Sequence, residues 1–270
     1  MAGLKPRPSS DGVAPLNIVI TGASSGIGAV LAEQLGSAGH RVALAARREV
    51  ELQEVARRAG AGALVVPTDV TRRADVERLR DRAIEAFGYV DVWVNNAGRG
   101  MTKAALELTD DDLDAMITAN VKSALYGMQA IVPHFRERGR GHVINISSML
   151  SRVPFASYRA AYSAAKAALN SLTANVRMDL AATHPGIHIS IVIPGLVTTS
   201  FGENAAGGSP PIPAAAMADA QTPEVVAEAI AGLIDRPVAE VYTNPNHRAM
   251  AVRYFEDVGA FERNIARGRP

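Results

Sequence analysis

The amino-acid sequence predicts an α/β fold, a doubly wound parallel sheet of about seven strands with helices on both faces, in a single domain. Three observations carry this. Short β-branched runs alternate along the chain with longer amphipathic stretches. The runs are apolar throughout, as in Val-Ile-Asn-Ile at 143–146 and Ile-Ser-Ile-Val-Ile at 189–193. A strand covered on both faces has no solvent side, so strict polar alternation is not expected. Finally, a glycine-rich turn leads from the first run straight into a helical pattern.

Taken in order, residues 1–15 are rich in proline, glycine, serine and charge and read as a disordered lead-in, without the apolar stretch of a secretory signal. Strands are expected at 16–21, 41–46, 63–67, 90–94, 142–147, 188–193 and 240–242, and helices start at Gly26 and Glu49. Thr109, followed three residues later by Asp112, has capping-box spacing before a helical stretch that runs toward Arg138. Thr222 and Pro223 suit the N-cap and first position of a late helix. Between 200 and 221, Gly207, Gly208, Pro210, Pro211 and Pro213 break every period and predict a mobile substrate loop. The single domain so drawn spans 16–245, and 246–270 is a tail or extension that carries no motif.

The 270 residues, 48% hydrophobic and 20% charged, suffice for one large core. With 28 Lys and Arg against 27 Asp and Glu, the formal charge is +1. No global field therefore favours nucleic acid or an anionic membrane, and the expected partner is a small molecule. The absence of cysteine excludes disulfides, thiolate nucleophiles and cysteine-ligated metals. No apolar run approaches the ~20 residues of a membrane span, and a cytoplasmic protein is expected.

The turn after the first strand reads Thr21-Gly22-Ala23-Ser24-Ser25-Gly26-Ile27-Gly28. Glycines at 22, 26 and 28 permit a tight turn, close backbone approach to a pyrophosphate, and close helix-on-strand packing. The helix N-terminus adds N–H donors and a positive dipole end, so this Rossmann-type turn is a candidate phosphate site. Asp69-Val70 and Asn95-Asn96-Ala97-Gly98 end the third and fourth strands, on the carboxyl edge where open α/β sheets bind ligands. Taken singly, Asp69 reads equally well as a helix cap and the asparagines as a turn.

Ser147-Ser148 closes the fifth strand, and Tyr162 and Lys166 follow at i and i+4, on one face of a helix. A free tyrosine, with a pKa of ~10, is ionised to about one part in a thousand at neutral pH. An ammonium about 5 Å away at an effective dielectric of ~20 contributes ~3 kcal/mol, roughly a hundredfold in ionisation, and predicts a lowered Tyr162. In isolation the pair is more often an exposed helix face with a snorkelling lysine. Its company, a hydroxyl at a strand end, a polar Asn120 in the preceding helix and a dinucleotide turn, favours chemistry.

In these residues the chain resembles the short-chain dehydrogenase/reductase family across nearly all of 16–242. The motifs that carry the resemblance are Thr-Gly-x-x-x-Gly-x-Gly at Thr21 to Gly28, Asn-Asn-Ala-Gly at Asn95 to Gly98, Asn120, Ser148, Tyr-x-x-x-Lys at Tyr162 to Lys166, and Pro194-Gly195 followed by Val197 and Thr199. The resemblance implies a nicotinamide-dependent oxidoreductase acting on a carbonyl or alcohol. In it Ser148, with Ser147 as the alternative, would hold the substrate oxygen and Tyr162 would move its proton. Lys166 would bind the nicotinamide ribose and tune Tyr162, and Asn120 would anchor a water linking Lys166 to solvent. Gly22, Ser24, Ser25, Gly26, Ile27 and Gly28 would hold the phosphates. Asp69 and Val70 would flank the adenine, Asn95, Ala97 and Gly98 would line the cofactor cleft, and Val197 and Thr199 would hold the carboxamide on a turn shaped by Pro194 and Gly195. It also implies a homo-oligomer, a tetramer or a dimer, through the helices carrying Asn120 and Tyr162.

Two readings of other classes stand beside this one: a regulator that binds the dinucleotide without chemistry, and a non-redox lyase or dehalogenase on the same fold. Retention of all four candidate catalytic residues and of the glycine turn argues against both. NADP(H) is expected over NAD(H), because the second strand runs into Arg47-Arg48 with no carboxylate to repel a 2′-phosphate. Met149, Leu150, Phe155, Tyr158 and Phe201 point to a hydrophobic carbonyl compound. Arg99, Arg152 and Arg159 read first as solvated side chains and second as partners of an anionic group.

Overall fold

The structure is a computed structural model that describes residues 14–208 and 217–267. Most of the expected lead-in and the middle of the expected substrate loop, 209–216, lie outside the described residues. The seven strands are β1 (Asn17–Thr21), β2 (Arg41–Ala46), β3 (Ala63–Pro67), β4 (Val92–Asn95), β5 (Gly141–Ile146), β6 (Ile187–Ile193) and β7 (Glu240–Tyr242). They pair in the order β3-β2-β1-β4-β5-β6-β7. Every pairing is parallel, with Ile18 opposite both Val42 and Val92. The order reverses between β1 and β4, and that switch point opens the ligand crevice of such sheets.

The central strands β1, β2, β4 and β5 bury both faces. In β1, Ile18 and Ile20 face a core shared with Leu31, Leu35, Val226 and Ile230. Those partners come from α1 (Gly26–Ser37) and α7 (Pro223–Asp235). Val19 points the other way, into a core with Leu79, Trp93, Ile131 and Phe135. That side is covered by α3 (Arg73–Phe87), α5 (Ser123–Arg138) and α6 (Ala160–Ala181), while α2 (Glu49–Ala59) lies with α1. This two-sided burial is why the strand sequences lack polar alternation.

The expected capping box forms: the Thr109 hydroxyl accepts from the Asp112 N–H, and the Asp112 carboxylate accepts from the Thr109 N–H. The single helix expected from there to Arg138 is instead α4 (Asp110–Ile117), a π-helical turn at Thr118–Lys122, and α5. Thr222 is the N-cap of α7, with Pro223 opening the helix. The expected tail folds as α8 (Pro245–Glu256) and α9 (Val258–Ala266). Among the described residues, no helix is long and apolar enough to cross a membrane.

One buried group makes stability pH-dependent. His142 on β5 is 4% exposed, with Nε2 2.8 Å from Ser190 Oγ and its ring edge-on to His188. Burial, and then the neighbouring His188, push its pKa down to about 3. Below pH ~6.5 the unfolded chain takes a proton that the folded chain refuses until about pH 3, so stability is lost as the pH falls through that window. We expect a loss of roughly 2 kcal/mol by pH 5 from this group. Urea midpoints measured from pH 7 to 5 should fall less steeply for His142→Gln than for wild type, and equal slopes would refute the assignment.

Candidate active site

A cleft of about 1900 Å³ runs along the carboxyl edge of the sheet, from the glycine turn past the ends of β4 and β5 to α8 and α9. At one end, Gly22 (φ 68°) and Gly26 (φ 56°) adopt the left-handed backbone that glycine tolerates. A Cβ on Gly22 would meet Ala97 Cα at 2.8 Å, and one on Gly28 would meet the Gly22 carbonyl oxygen at 2.4 Å. The turn is therefore drawn tight against the strand ends, and α1 begins behind it. Ser25 is the N-cap of α1, makes no side-chain cap bond, and the first turn holds no acidic residue. The positive end of the helix stays directed at the cleft, as a pyrophosphate requires.

Thr21 ties this turn to β4: its Oγ1 donates to the Val94 carbonyl and accepts from the Asn96 and Ala97 N–H groups. Asn96 Nδ2 donates to the carbonyls of Thr21 and Gly22. The expectation that Asn95 lines the cleft is corrected. Asn95 is the last residue of β4 and shares the parity of Trp93, so its side chain enters the core. There Oδ1 accepts from Trp93 Nε1 at 2.8 Å and Nδ2 donates to Asn145 Oδ1 at 2.9 Å. Asn96, next in the same motif, lines the cleft beside Ala97 and Gly98.

Beyond the end of β3, Asp69 and Val70 line the cleft, and Asp69 Oδ1 accepts from both the N–H and the hydroxyl of Thr71. Arg47 and Arg48 also line it, and both are exposed. Arg48 reaches across the glycine turn, donating to Ser24 Oγ at 3.0 Å and Ser25 Oγ at 2.9 Å, while pairing with Glu51. Arg47 has no side-chain partner among the described residues.

In the middle, α6 presents Tyr162 and Lys166 one turn apart, both buried, with Lys166 Nζ 5.8 Å from the phenol ring centroid. Lys166 Nζ donates to the Ile146 carbonyl at 2.8 Å, which pins the helix to the end of β5. Burial pushes the Lys166 ammonium down to about 8. It also pushes Tyr162 up to about 12, against the opposing pull of the Ser148 hydroxyl and the Arg159 guanidinium. The lowered Tyr162 expected from the sequence is thus reversed, because withdrawal from water outweighs nearby charge.

Ser148 Oγ accepts from the Leu150 N–H and faces the cleft beside Tyr162. Ser147 is engaged elsewhere: it donates to Asn170 Oδ1 at 2.6 Å. Of the two serines, Ser148 is the one whose hydroxyl borders the phenol. Asn120, in the π-helical turn, is 1% exposed. Its Oδ1 accepts from the Arg99 N–H, and its Nδ2 donates to the carbonyls of Arg99 and Met116. A Cβ on Gly98 would stand 2.8 Å from Asn120 Oδ1 and 3.5 Å from Lys166 Nζ, so these three residues adjoin.

Pro194, Gly195, Val197 and Thr199 border the same cleft. Gly195 is dictated by His247, whose imidazole carbon would lie 2.2 Å from an added Cβ. Met149, Leu150, Phe155, Tyr158 and Phe201 also line the cleft, joined by Met250, Phe261 and Ile265 from α8 and α9. Those last three were missed. The spacing Val258, Phe261, Ile265 signals an amphipathic helix, but nothing in it says what the apolar face covers.

The fold and site together define a dinucleotide-dependent oxidoreductase. Residues 16–209 match the family model described as short chain dehydrogenase. The chain belongs to the short-chain dehydrogenase/reductase family. An uncharacterized oxidoreductase of Bacillus subtilis, YxnA, is 34% identical over 239 residues, 87% of this chain and 67% of its own length. A short-chain dehydrogenase/reductase of Burkholderia phymatum, solved in complex with NAD, superposes with a TM-score of 0.81 at 27% identity, covering 91% of this chain and 95% of its own. An alcohol dehydrogenase of the archaeon Thermococcus sibiricus, complexed with 5-hydroxy-NADP, gives 0.74 at 28% identity, covering 85% and 96%. A nicotinamide cofactor follows from the family, and the chain is a nicotinamide-dependent dehydrogenase or reductase.

Proposed function

We propose that this enzyme interconverts a carbonyl and an alcohol with NADP(H) as the preferred cofactor and Tyr162 as general acid and base. The observation that carries the reading is the convergence of Ser148, Tyr162 and Lys166 in the cleft that the glycine turn opens. The glycine cradle, which any Cβ would fill, fits a pyrophosphate. Pro194, Gly195, Val197 and Thr199, which border the cleft, would hold the nicotinamide, and Lys166 would bind its ribose. When bound, the nicotinamide supplies or accepts the hydride.

The remaining steps belong to the chain. Ser148 Oγ holds the carbonyl oxygen and Tyr162, whose burial favours the protonated phenol, gives that oxygen its proton during reduction. Oxidation runs the same proton backwards and needs the phenolate, which positive charge beside the ring favours. Lys166 supplies part of that charge from a position fixed by Ile146. Asn120 holds the Arg99 backbone next to Lys166 and so shapes the floor on which both stand. The same reading includes a homo-oligomer, a dimer or a tetramer, through the helical segments carrying Asn120 and Tyr162, supported by Met178, which stands 63% exposed on α6.

The preference for NADP(H) is supported by the end of β2, where no carboxylate would repel a 2′-phosphate. Arg48, bonded to the turn serines, and Arg47 both line the cleft there and would offer guanidinium donors to that phosphate. The test follows absorbance of the reduced nicotinamide with a panel of ketones and compares kcat/KM for NADPH and NADH. Wild type should favour NADPH, and the double variant Arg47→Ala, Arg48→Ala should lower that ratio by about 10- to 100-fold, the scale of lost charge-assisted hydrogen bonds. Equal use of both cofactors by wild type would overturn the preference, and no turnover of any ketone would overturn the activity.

A further inference from the structure

We propose that Arg159 anchors an acidic group of the substrate, so that the compounds this enzyme prefers are carbonyls carrying a carboxylate within a few bonds of the reacting carbon. The inference deepens the function proposed above and rests on it.

Arg159 is the N-cap residue of α6, three positions before Tyr162, and it lines the same cleft. Its Nη1 is buried and has no hydrogen-bond partner among the described residues, and no carboxylate among them pairs with it. A guanidinium nitrogen withdrawn from water needs an acceptor, since arginine carries donors only. Of the other candidate arginines, Arg152 pairs with Glu240 although its buried Nε has no partner among the described residues, Arg48 pairs with Glu51 and two serine hydroxyls, and Arg47, Arg99 and Arg253 are exposed to water.

The place of Arg159 is also built. A Cβ on Gly100 would stand 2.9 Å from Nη1, 3.1 Å from the Phe201 ring and 3.2 Å from the Ala205 methyl group, so glycine there admits the guanidinium. Phe201 in turn packs against Tyr162, with ring centroids 5.7 Å apart. Guanidinium and phenol thus share one apolar wall, and the charge of Arg159 is felt at Tyr162, whose pKa it pulls down against burial. A planar fork presents two parallel N–H donors to a carboxylate, a fit that neutral acceptors do not match. Met149, Leu150, Phe155 and Phe261 leave hydrocarbon contact for the rest of the molecule.

Two experiments test this. The first compares kcat/KM for medium-chain 2-oxo, 3-oxo and 4-oxo acids with that for their methyl esters. At least one acid should exceed its ester by about 30-fold or more, the scale of a hydrogen bond to a charged group. The ratio should collapse to within a few-fold in Arg159→Gln and recover in part in Arg159→Lys. The second measures calorimetric binding of 4-phenylbutanoate and its methyl ester, neither with a reducible ketone, to protein saturated with oxidised dinucleotide. The acid should bind more tightly than the ester in wild type and no better than it in Arg159→Gln. Acid and ester bound alike, or a preference that survives Arg159→Gln, would overturn the proposal. If acid binding depends on Arg159 while no oxo acid is turned over, the anion site stands and the redox reading falls. If oxo acids and esters turn over and bind alike, the reverse holds.

Discussion

Tyr162→Phe is expected to lower kcat by roughly 100- to 10,000-fold, the range for loss of a general acid in the transition state. The substitution removes one oxygen and leaves the ring, so the packing against Phe201 and the position of Lys166 survive. Dinucleotide affinity, read from fluorescence of the bound reduced nicotinamide, should change little, because Tyr162 contributes far less cofactor surface than the glycine turn. Lys166→Met should weaken both turnover and binding, since it removes the buried ammonium and its bond to the Ile146 carbonyl. A loss confined to kcat with unchanged cofactor affinity identifies an interaction made only in the transition state. Retention by Tyr162→Phe of more than about a tenth of the wild-type rate, where ~100-fold loss is typical, would remove Tyr162 from the chemistry.

Gly28→Ala should be almost as damaging by a wholly different route. The added methyl group would lie 2.4 Å from the Gly22 carbonyl oxygen and 2.5 Å from Asn96 Nδ2, and the first of these is backbone that cannot rotate aside. The turn must open. We expect a stability loss of about 1–3 kcal/mol from the overpacking, and a fall in kcat/KM of roughly 100-fold, the scale of a 1 Å misplacement. Gly232→Ala is the matched control, because nothing lies within 4 Å of a Cβ at that position in α7. It should gain about 0.5–1 kcal/mol from better helix propensity. Thermal melts and dinucleotide titrations of the pair settle the matter: wild-type affinity in Gly28→Ala would show that the turn does not hold the cofactor.

How far the sequence could be read depended on whether a signal was local. The strand at Ala63–Pro67 is found where its apolar run lies. The fourth was expected from 90 yet pairs only from Val92, because Val90 is fully buried in the core ahead of the ladder, and burial is all an apolar run reports. Asn95 and Asn96 are chemically identical, and only strand parity, fixed by Trp93 entering the core, decides which one reaches the cleft. The π-helical turn around Asn120 inserts into a helical pattern whose polar and apolar residues betray no break. Tyr162 and Lys166 were found from spacing and company, but the direction of the Tyr162 pKa was not, because neighbouring charge is legible in a motif and depth of burial is not. Arg48 and not Arg47 bonds to the turn serines, a choice made by side-chain reach across the crevice.

The two walls of the cleft come from different stretches of the chain. The match to the family ends at residue 209, within the segment after Thr199, while Met250, Phe261 and Ile265 belong to helices that begin at Pro245. Those helices touch the body at Met149 and Ile193, and at Gly195 through His247, and carry none of the residues assigned to the dinucleotide or to proton transfer. Substitution in this last part of the chain away from His247 therefore reshapes the roof and leaves the machinery beneath in place. Acceptance and reactivity can be inherited separately: chains that exchange only their final two helices would draw on one reductant and differ in what they reduce.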